Sequence, residues 1–293
     1  MTGSSNDHHI LVLGGDSRLG RALRRNFAPP MRAVVRRAPI AQHEYATGDY
    51  ASIPPAALAG IDTVVNCIGT PQGSDDTLWN VNARIPLAVA QQAKAAGVRR
   101  FVQISSFSVY GGNERIGLAT PVSPASAYGR AKAHADIELA ALADSHFTPI
   151  SLRLPAIVDV DGRDKLHSLI RLWRRIRYLP VPRASVRRSM IGVDLAANAV
   201  IRSLHGEGVI HAADPAPFEY ERAAAAISGA LGLHLGCIRA PRPLFRLLAL
   251  AAPAIHDSLY RDSLLAPADN IIAEKGEHPG LYDIIAAIAH AGA

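Results

Sequence analysis

Two neighbouring segments decide the fold, Phe101-Val-Gln-Ile-Ser-Ser-Phe-Ser-Val-Tyr-Gly111 and Ser126-Ala-Tyr-Gly-Arg-Ala-Lys132. Their pattern predicts a buried strand that ends at Ser105 and Ser106, then a loop and a helix. Tyr128 and Lys132, four residues apart, share one face of that helix. Because a nearby ammonium favours a phenolate, we expect Lys132 to lower the pKa of Tyr128. Such a tyrosine can exchange a proton near neutral pH, while a serine hydroxyl holds the reacting oxygen.

A glycine-rich turn, Gly14-Gly-Asp-Ser-Arg-Leu-Gly20, follows the first apolar strand and leads into a helical pattern. Glycine lets the backbone approach an anion, and a helix N-terminus attracts one, so the turn predicts a phosphate cradle. A bound dinucleotide is expected to contact five residues of this turn: Gly14, Ser17, Arg18, Leu19 and Gly20.

The second strand, residues 33–35, ends on two arginines. An acidic residue at this place would bind the ribose 2′-hydroxyl of NAD, but no acid occurs between Arg32 and His43. Arg36 suits a 2′-phosphate instead, whereas Arg37 fits a solvated loop residue equally well. The strand end therefore favours NADP(H), with NAD(H) as the alternative.

Alternating strands and helices predict an α/β fold of the Rossmann type, with a doubly wound parallel sheet. A third strand is expected to close at 48–50, where Asp49 either meets an adenine amino group or caps the next helix. A fourth strand runs into Gly69, and a helix from Leu78 to Ala96 carries Asn82. The glycine turn, Asp49, Gly69 and Ser106 then share the carboxyl edge of the sheet, where ligands bind.

The composition of the 293-residue chain indicates a globular protein with a net charge of +6. Its two cysteines give neither a disulfide framework nor metal-ligand spacing, which predicts a cytoplasmic protein without a metal site. The arginine-rich run 171–188 has little aromatic interleaving, so a solvated helix face is preferred to nucleic-acid binding. The apolar run 247–255 contains Pro253 and is too short for an integral membrane segment.

The regular alternation of strands and helices ends after a strand at 148–154. We predict a flexible leader at 1–9, an NAD(P)-binding domain at 10–155 and a smaller C-terminal substrate-binding lobe at 156–293. Elements at about 190–211 are expected to return to the first domain. The later pattern predicts further elements at 193–204, 208–211, 220–231, 235–239 and 244–252, and a final helix from about 282.

Several motifs together resemble the extended short-chain dehydrogenase/reductase family, the branch of NAD(P)-dependent sugar-nucleotide epimerases, dehydratases and ketoreductases. They are Gly14-x₅-Gly20, Asn80-Val-Asn82, Ser105-Ser-x-x-Val-Tyr-Gly111, Tyr128-x₃-Lys132 and Arg188-x₄-Val-Asp194. The third glycine of the usual pattern is replaced by Ser17, which can donate a hydrogen bond.

The resemblance implies a role for each matching residue. Tyr128 would be the general acid or base, Lys132 would tune it and hold the nicotinamide ribose, and Ser106 would bind the reacting oxygen. Asn82 would be a secondary member of the cofactor site, and Pro155 would lie against the nicotinamide ribose. Substrate contacts are expected from Ser106, Ser108, Arg188 and Arg261, with Arg188 at a diphosphate.

Two reactions compete within this family. A 4-ketoreductase consumes NADPH, whereas a UDP-sugar 4-epimerase keeps NAD as a tightly held catalytic cofactor. Arg36 favours the reductase, acting on a UDP-4-keto-6-deoxyhexose or its amino sugar in polysaccharide synthesis. A non-catalytic NADP-binding regulatory protein is a more distant alternative, because such proteins typically lose the tyrosine or lysine. Whether the chain forms a homodimer stays open.

Overall fold

A computed structural model describes residues 10–27, 31–41, 43–182, 186–241, 243, 245, 250, 260–274 and 276–292. The predicted leader at 1–9 lies outside the described residues. The same holds for most of the predicted helix at 244–252 and for most of the apolar run at 247–255. Within the described ranges, no helix is both long and apolar enough to cross a membrane.

Contacts within the chain divide it into two compact units. The first unit comprises residues up to Gly111 together with Pro121–Leu154 and Ala196–His211. The second comprises Gly112–Thr120, Pro155–Leu195 and the residues from Ala212 onward.

The first unit contains a seven-stranded parallel sheet with the order β12-β7-β5-β4-β1-β2-β3. Its strands are β1 (Ile10–Leu13), β2 (Arg32–Val35), β3 (Glu44–Ala46), β4 (Thr63–Asn66), β5 (Arg100–Ser106), β7 (Thr148–Leu154) and β12 (Gly208–His211). The strands are apolar along most of their length because helices cover both faces of the sheet. This confirms the predicted Rossmann-type α/β fold. The strand order reverses beside β1, which opens a crevice at the carboxyl ends of β1 and β4.

In the described residues, α-helices and one π-helical turn accompany this sheet. They are α1 (Arg18–Asn26), α2 (Pro55–Leu58), α3 (Asp75–Trp79), a π-helical turn (Asn80–Arg84), α4 (Ile85–Ala95), α5 (Ala127–Ala140) and α7 (Val193–Ser203). The predicted helix at 78–96 thus begins earlier and contains a π turn. It begins earlier because the Ser74 hydroxyl caps it by accepting from the Thr77 N–H.

The predicted end of the third strand, at 48–50, is wrong. Pairing with β2 ends at Ala46, because Thr47 and Asp49 form a tight turn there. The Thr47 hydroxyl donates to the Asp49 carbonyl at 2.6 Å, and the Asp49 carboxylate accepts from the Ala51 N–H at 2.8 Å. Short polar side chains that bond to nearby backbone in this way compete with strand pairing.

The second unit is built from helices and short strand pairs. Its elements are β6 (Arg115–Ile116), β8 (Ala156–Val158), α6 (Lys165–Ile176), β9 (Tyr178–Pro182), β10 (Arg187–Arg188), β11 (Met190–Gly192), β13 (Phe218–Glu219), α8 (Tyr220–Leu231), β14 (Gly236–Ala240), β15 (Leu264–Leu265) and α9 (Leu281–Ala291). A core that includes Trp173, Ile227 and Ile285 joins α6, α8 and α9. Burial of such large side chains supplies most of the stability of these short elements.

Candidate active site

The glycine turn after β1 adopts a conformation that only glycine satisfies at two positions. Gly14 has φ of +71°, and a Cβ on Gly20 would lie 2.4 Å from the Gly14 carbonyl oxygen. Ser17, which stands where the family pattern has a glycine, caps α1, since its hydroxyl accepts from the Gly20 N–H at 3.0 Å. The turn therefore delivers backbone and a helix N-terminus to the crevice, an arrangement suited to phosphate.

A buried carboxylate organises the arginines beyond this turn. Glu44 has a side chain only 1% exposed and lies 2.7 Å from Arg37 Nη2 and 2.5 Å from Arg24 Nη2. Arg37 also pairs with Asp16 at 2.9 Å. Hydrogen bonds from Arg37 first, then from Ile40 N–H and Arg24, hold the pKa of Glu44 well below its usual range despite burial.

These ion pairs separate the two arginines at the end of β2. Arg37 forms ion pairs with Glu44 and Asp16 while its side chain stays 37% exposed. Arg36, the first residue after β2, is exposed. Burial raises the pKa of Tyr50, and the charge of Arg36 acts to lower it. An open cavity of about 650 Å³ is lined by Asp16, Arg21, Arg24, Arg37, Ile40, Ala41 and Glu44.

Asp49 and Gly69 are both exposed in the first unit. Asp49 does not cap a helix, because α2 begins at Pro55 with Pro54 at its N-cap. That alternative is wrong, and contact with an adenine stays a prediction. A Cβ on Gly69 would lie 3.2 Å from Asn82 Oδ1 and 3.3 Å from Lys132 Nζ. A side chain at this position would therefore crowd both polar atoms.

Asn82 is fully buried in the π turn and holds the loop after β4. Its Oδ1 accepts from the Thr70 N–H at 3.1 Å, and its Nδ2 donates at 2.8 Å to the carbonyl oxygens of Thr70 and Leu78. The hydrogen bond from Asn82 Nδ2 to Leu78 satisfies a carbonyl oxygen of α3, the helix just before the π turn. π turns are frequent at functional sites, and this one fixes the loop that bears Gly69.

The carboxyl end of β5 separates the two serines. The Ser105 hydroxyl points into the core and donates to Asp136 Oδ2 at 2.9 Å. Ser106 caps the short turn Phe107–Tyr110, because its hydroxyl accepts from the Ser108 N–H at 3.1 Å. The same hydroxyl donates to the Ser108 hydroxyl at 3.1 Å. Ser106 and Ser108 thus present adjacent hydroxyl groups.

Tyr128 forms a hydrogen bond with the Ser106 side chain. Burial nevertheless raises the pKa of Tyr128; its hydrogen bond with Ser106 acts to lower it, and the Asp136 charge raises it further. The net shift in the chain by itself is thus upward, opposite to the lowering expected from the sequence, and a contribution of Lys132 to this pKa stays a prediction. Lys132 Nζ donates to the Ile104 carbonyl at 2.8 Å.

Lys132 is 2% exposed, and burial lowers its pKa to about 8, against the opposing charges of Asp136 and Cys67. Burial also raises the pKa of the Cys67 thiol to about 12. The thiol is therefore protonated at neutral pH and does not act as a nucleophile.

Two predicted substrate contacts come together in the second unit. Arg188 on β10 donates from Nη1 to the Arg261 carbonyl at 2.6 Å, although 73 residues separate them. The Arg261 guanidinium covers Gly112, where an added Cβ would lie 2.7 Å from Nη1. Pro155 follows directly after β7 and is the first residue of the segment Pro155–Leu195 of this unit. The Arg188 side chain thus meets the Arg261 backbone, and contact of either guanidinium with an anionic group of the substrate stays a prediction.

Sequence reasoning missed the buried partners that hold these groups. Asp136 lies eight residues after Tyr128, so the spacing by itself could have placed it on the same face of α5. Glu44 gave no such signal, because its arginine partners come from α1 and from the end of β2.

The model of one protein family matches residues 10–178, more than half of the chain: the NAD dependent epimerase/dehydratase family. This chain belongs to that family. The predicted family resemblance and the prediction of an enzyme are both confirmed at this level.

Individual relatives are more distant. UDP-glucose 4-epimerase of Vibrio cholerae is 28% identical over 159 residues, which cover 49% of this chain and 48% of that protein. The match thus spans about half the length of this curated relative.

Two solved structures are similar along nearly the whole chain. MoeE5 in complex with UDP-glucuronic acid and NAD gives a TM-score of 0.73 at 19% identity, covering 97% of this chain and 99% of that one. The dTDP-4-dehydrorhamnose reductase of Bacillus anthracis in complex with NADP gives 0.68 at 14% identity, covering 96% and 98%. At these identities the likeness shows a shared fold.

Proposed function

We propose that the chain is an NAD(P)-dependent oxidoreductase that reduces the 4-keto group of a UDP-4-keto-6-deoxyhexose or its amino sugar. The observation that carries this proposal is the close approach of the start of α5, which bears Tyr128, to the turn that follows Ser106: a Cβ on Gly129 would lie 2.4 Å from the Ser108 carbonyl oxygen. A phenol and a serine hydroxyl placed together can hold one substrate oxygen and exchange a proton with it. Arg36, exposed at the end of β2, favours NADP(H) and with it a reductase.

The residues of the first unit fit a nicotinamide dinucleotide. The cradle formed by Gly14, Ser17 and Gly20 is closed to any side chain at the two glycines, and it suits a diphosphate. When bound, the reduced nicotinamide supplies the hydride that adds to the sugar C4. Lys132 and the loop fixed by Asn82 would hold its ribose, and Asp49 the adenine.

The proton follows a separate route through the chain's own residues. Tyr128 would donate its phenolic proton to the C4 oxygen as the carbonyl becomes a hydroxyl, and solvent would then reprotonate the phenolate. Ser106 and Ser108 would stabilise that oxygen while its negative charge develops. In the second unit, Arg188 and Arg261 would bind the diphosphate of the sugar nucleotide.

NADP(H) is the cofactor that we favour. Arg36 is exposed at the end of β2, whereas Arg37 is already neutralised by Glu44 and Asp16, so Arg36 is the side chain available to a 2′-phosphate. A 4-epimerase that uses NAD is the second candidate, because the curated relative from Vibrio cholerae bears that name.

The first experiment is to identify any nucleotide that the purified protein carries and to titrate the protein with NADPH and NADH. NADPH-selective binding with no retained nucleotide supports the reductase. Stoichiometric NAD retained through purification supports the epimerase and overturns our reading of Arg36.

The second experiment tests Tyr128 directly. Tyr128→Phe should fold and bind cofactor, but consumption of NADPH with a UDP-4-keto sugar should fall by at least about 100-fold. Tyr178→Phe is the matched control, since Tyr178 is exposed on β9 and should keep the wild-type rate. Wild-type turnover by Tyr128→Phe would refute the mechanism.

A further inference from the structure

A chain of buried polar side chains lies behind Tyr128 and Lys132 in the first unit. Asp136 Oδ2 accepts from Ser105 Oγ at 2.9 Å and from Arg153 Nε at 2.8 Å. Arg153 Nη1 donates to the Tyr110 hydroxyl at 2.7 Å, and that hydroxyl lies 2.6 Å from His211 Nε2. All five side chains are at most 7% exposed. The chain joins α5 to β5, β7 and the end of β12.

Asp136 is the member of this chain next to the candidate active site. Tyr128, Lys132 and Asp136 follow one another at intervals of four residues, which places them in a row on one face of α5. Asp136 also reaches β5 through Ser105, the residue before Ser106. One carboxylate thus touches the strand that ends at Ser106 and lies one helical turn below Lys132.

We propose that Asp136 is a positioning residue: its carboxylate holds Ser105, and with it the end of β5, against the helix that carries Tyr128, and it places a negative charge one helical turn from Lys132. The inference rests on the proposed function, because it assigns to Asp136 a role in the proton transfer from Tyr128 to the sugar C4 oxygen. Asp136 would contact neither the reacting atoms nor the cofactor, and would act only through Lys132 and Ser105.

The physical reason lies in the surroundings of Lys132. The ammonium is buried and donates to the Ile104 carbonyl, and the ionisable groups that act on it are Asp136 from its own helix and Cys67 from the end of β4. Because Cys67 is protonated at neutral pH, Asp136 supplies the negative charge. Without that charge, burial favours the neutral amine. A neutral Lys132 no longer stabilises the phenolate that forms when Tyr128 donates its proton.

The test measures Lys132 directly and needs no enzymatic activity. The sequence holds only four lysines, at positions 94, 132, 165 and 275, so lysine labelled with ¹³C at Cε gives four resonances to follow against pH. The Lys132→Arg variant assigns the signal of Lys132. The wild-type midpoint is expected near 8. Asp136→Asn keeps the shape but removes the charge, and it should lower the midpoint by on the order of one pH unit.

Two variants separate positioning from a general loss of structure. Asp136→Glu retains the charge and should restore the midpoint. Tyr110→Phe breaks the same buried chain beyond Arg153; it should lower the melting temperature yet leave the Lys132 midpoint unchanged. If Asp136→Asn does not fold because Arg153 loses its partner, the double variant Asp136→Asn with Arg153→Gln replaces it. An unchanged midpoint in either Asn variant, or an equal shift in Tyr110→Phe, overturns the proposal.

Turnover provides the second readout. In Asp136→Asn the fall of the rate at high pH, where Lys132 loses its charge, should begin at lower pH, in step with the NMR midpoint. A shifted midpoint with unshifted turnover would refute the link to proton transfer. Absence of turnover with any UDP-4-keto sugar, also in the wild type, would instead refute the proposed function and leave the titration of Lys132 standing.

Discussion

Gly129 is the point at which the helix that bears Tyr128 comes closest to the turn that follows Ser106. A Cβ at Gly129 would lie 2.4 Å from the Ser108 carbonyl oxygen and 3.2 Å from Pro124 Cβ. In Gly129→Ala these elements must separate by about 1 Å to reach an ordinary van der Waals distance. The contact is with backbone, which cannot turn aside as a flexible side chain can. Tyr128, the neighbouring residue, therefore moves relative to Ser106.

Gly129→Ala changes stability by two opposing contributions, and it changes the rate through the displacement of Tyr128. Alanine gains up to about 1 kcal/mol over glycine within a helix, whereas overpacking costs about 1–3 kcal/mol. The free energy of unfolding should therefore fall by only about 1 kcal/mol. A misplacement of about 1 Å at reacting groups costs on the order of 100-fold in rate, which corresponds to about 2.7 kcal/mol.

The assay measures two quantities for each variant: kcat/KM with NADPH and a UDP-4-keto sugar, and the melting temperature. Gly229→Ala is the matched control, because Gly229 is also helical and an added Cβ there meets no atom within 4 Å. It should keep the wild-type rate and gain up to about 1 kcal/mol of stability. Wild-type kcat/KM in Gly129→Ala would refute the reasoning that this close approach sets the geometry of Tyr128.

Three further variants test the surroundings of the site. Glu44→Gln should lower the free energy of unfolding by about 2–3 kcal/mol at pH 7, measured by urea unfolding. Because the folded pKa of Glu44 is depressed, the stabilisation by its carboxylate is complete above about pH 5 and shrinks as pH falls. A stability difference between wild type and variant that does not narrow at pH 3 would contradict this. Arg36→Ala should weaken the binding of NADPH and leave that of NADH unchanged. The control Arg99→Ala, at an exposed position before β5, should change neither affinity. An unchanged ratio of the NADPH and NADH affinities in Arg36→Ala would remove the argument for NADP(H). Asn82→Ala breaks three hydrogen bonds, two of them with Thr70. It should lower the free energy of unfolding by about 2–3 kcal/mol. An unchanged melting temperature would show that other contacts hold the loop after β4.

Patterns that depend on neighbours in the chain were read correctly from the sequence. The apolar strands alternate with helices, and the glycine turn at Gly14 and Gly20 follows the first strand, so the parallel sheet and its crevice were predictable. The spacing of Tyr128 and Lys132 likewise places them on one helix face. The third strand and the helix before Asn82 were predicted less well, because polar side chains of Thr47, Asp49 and Ser74 set their ends locally.

The sequence by itself determined which chemical groups the chain brings to the carboxyl edge of its sheet, because backbone period and glycine turns are properties of short segments. Only the tertiary structure decided the electrostatic state of those groups. The pKa of Tyr128 rises since other elements bury it, and Arg37 is neutralised by Glu44 from a different strand. Arg188 likewise reaches Arg261 through the fold of the second unit. Burial and charge pairing depend on residues far apart in the chain, so no local pattern encodes them.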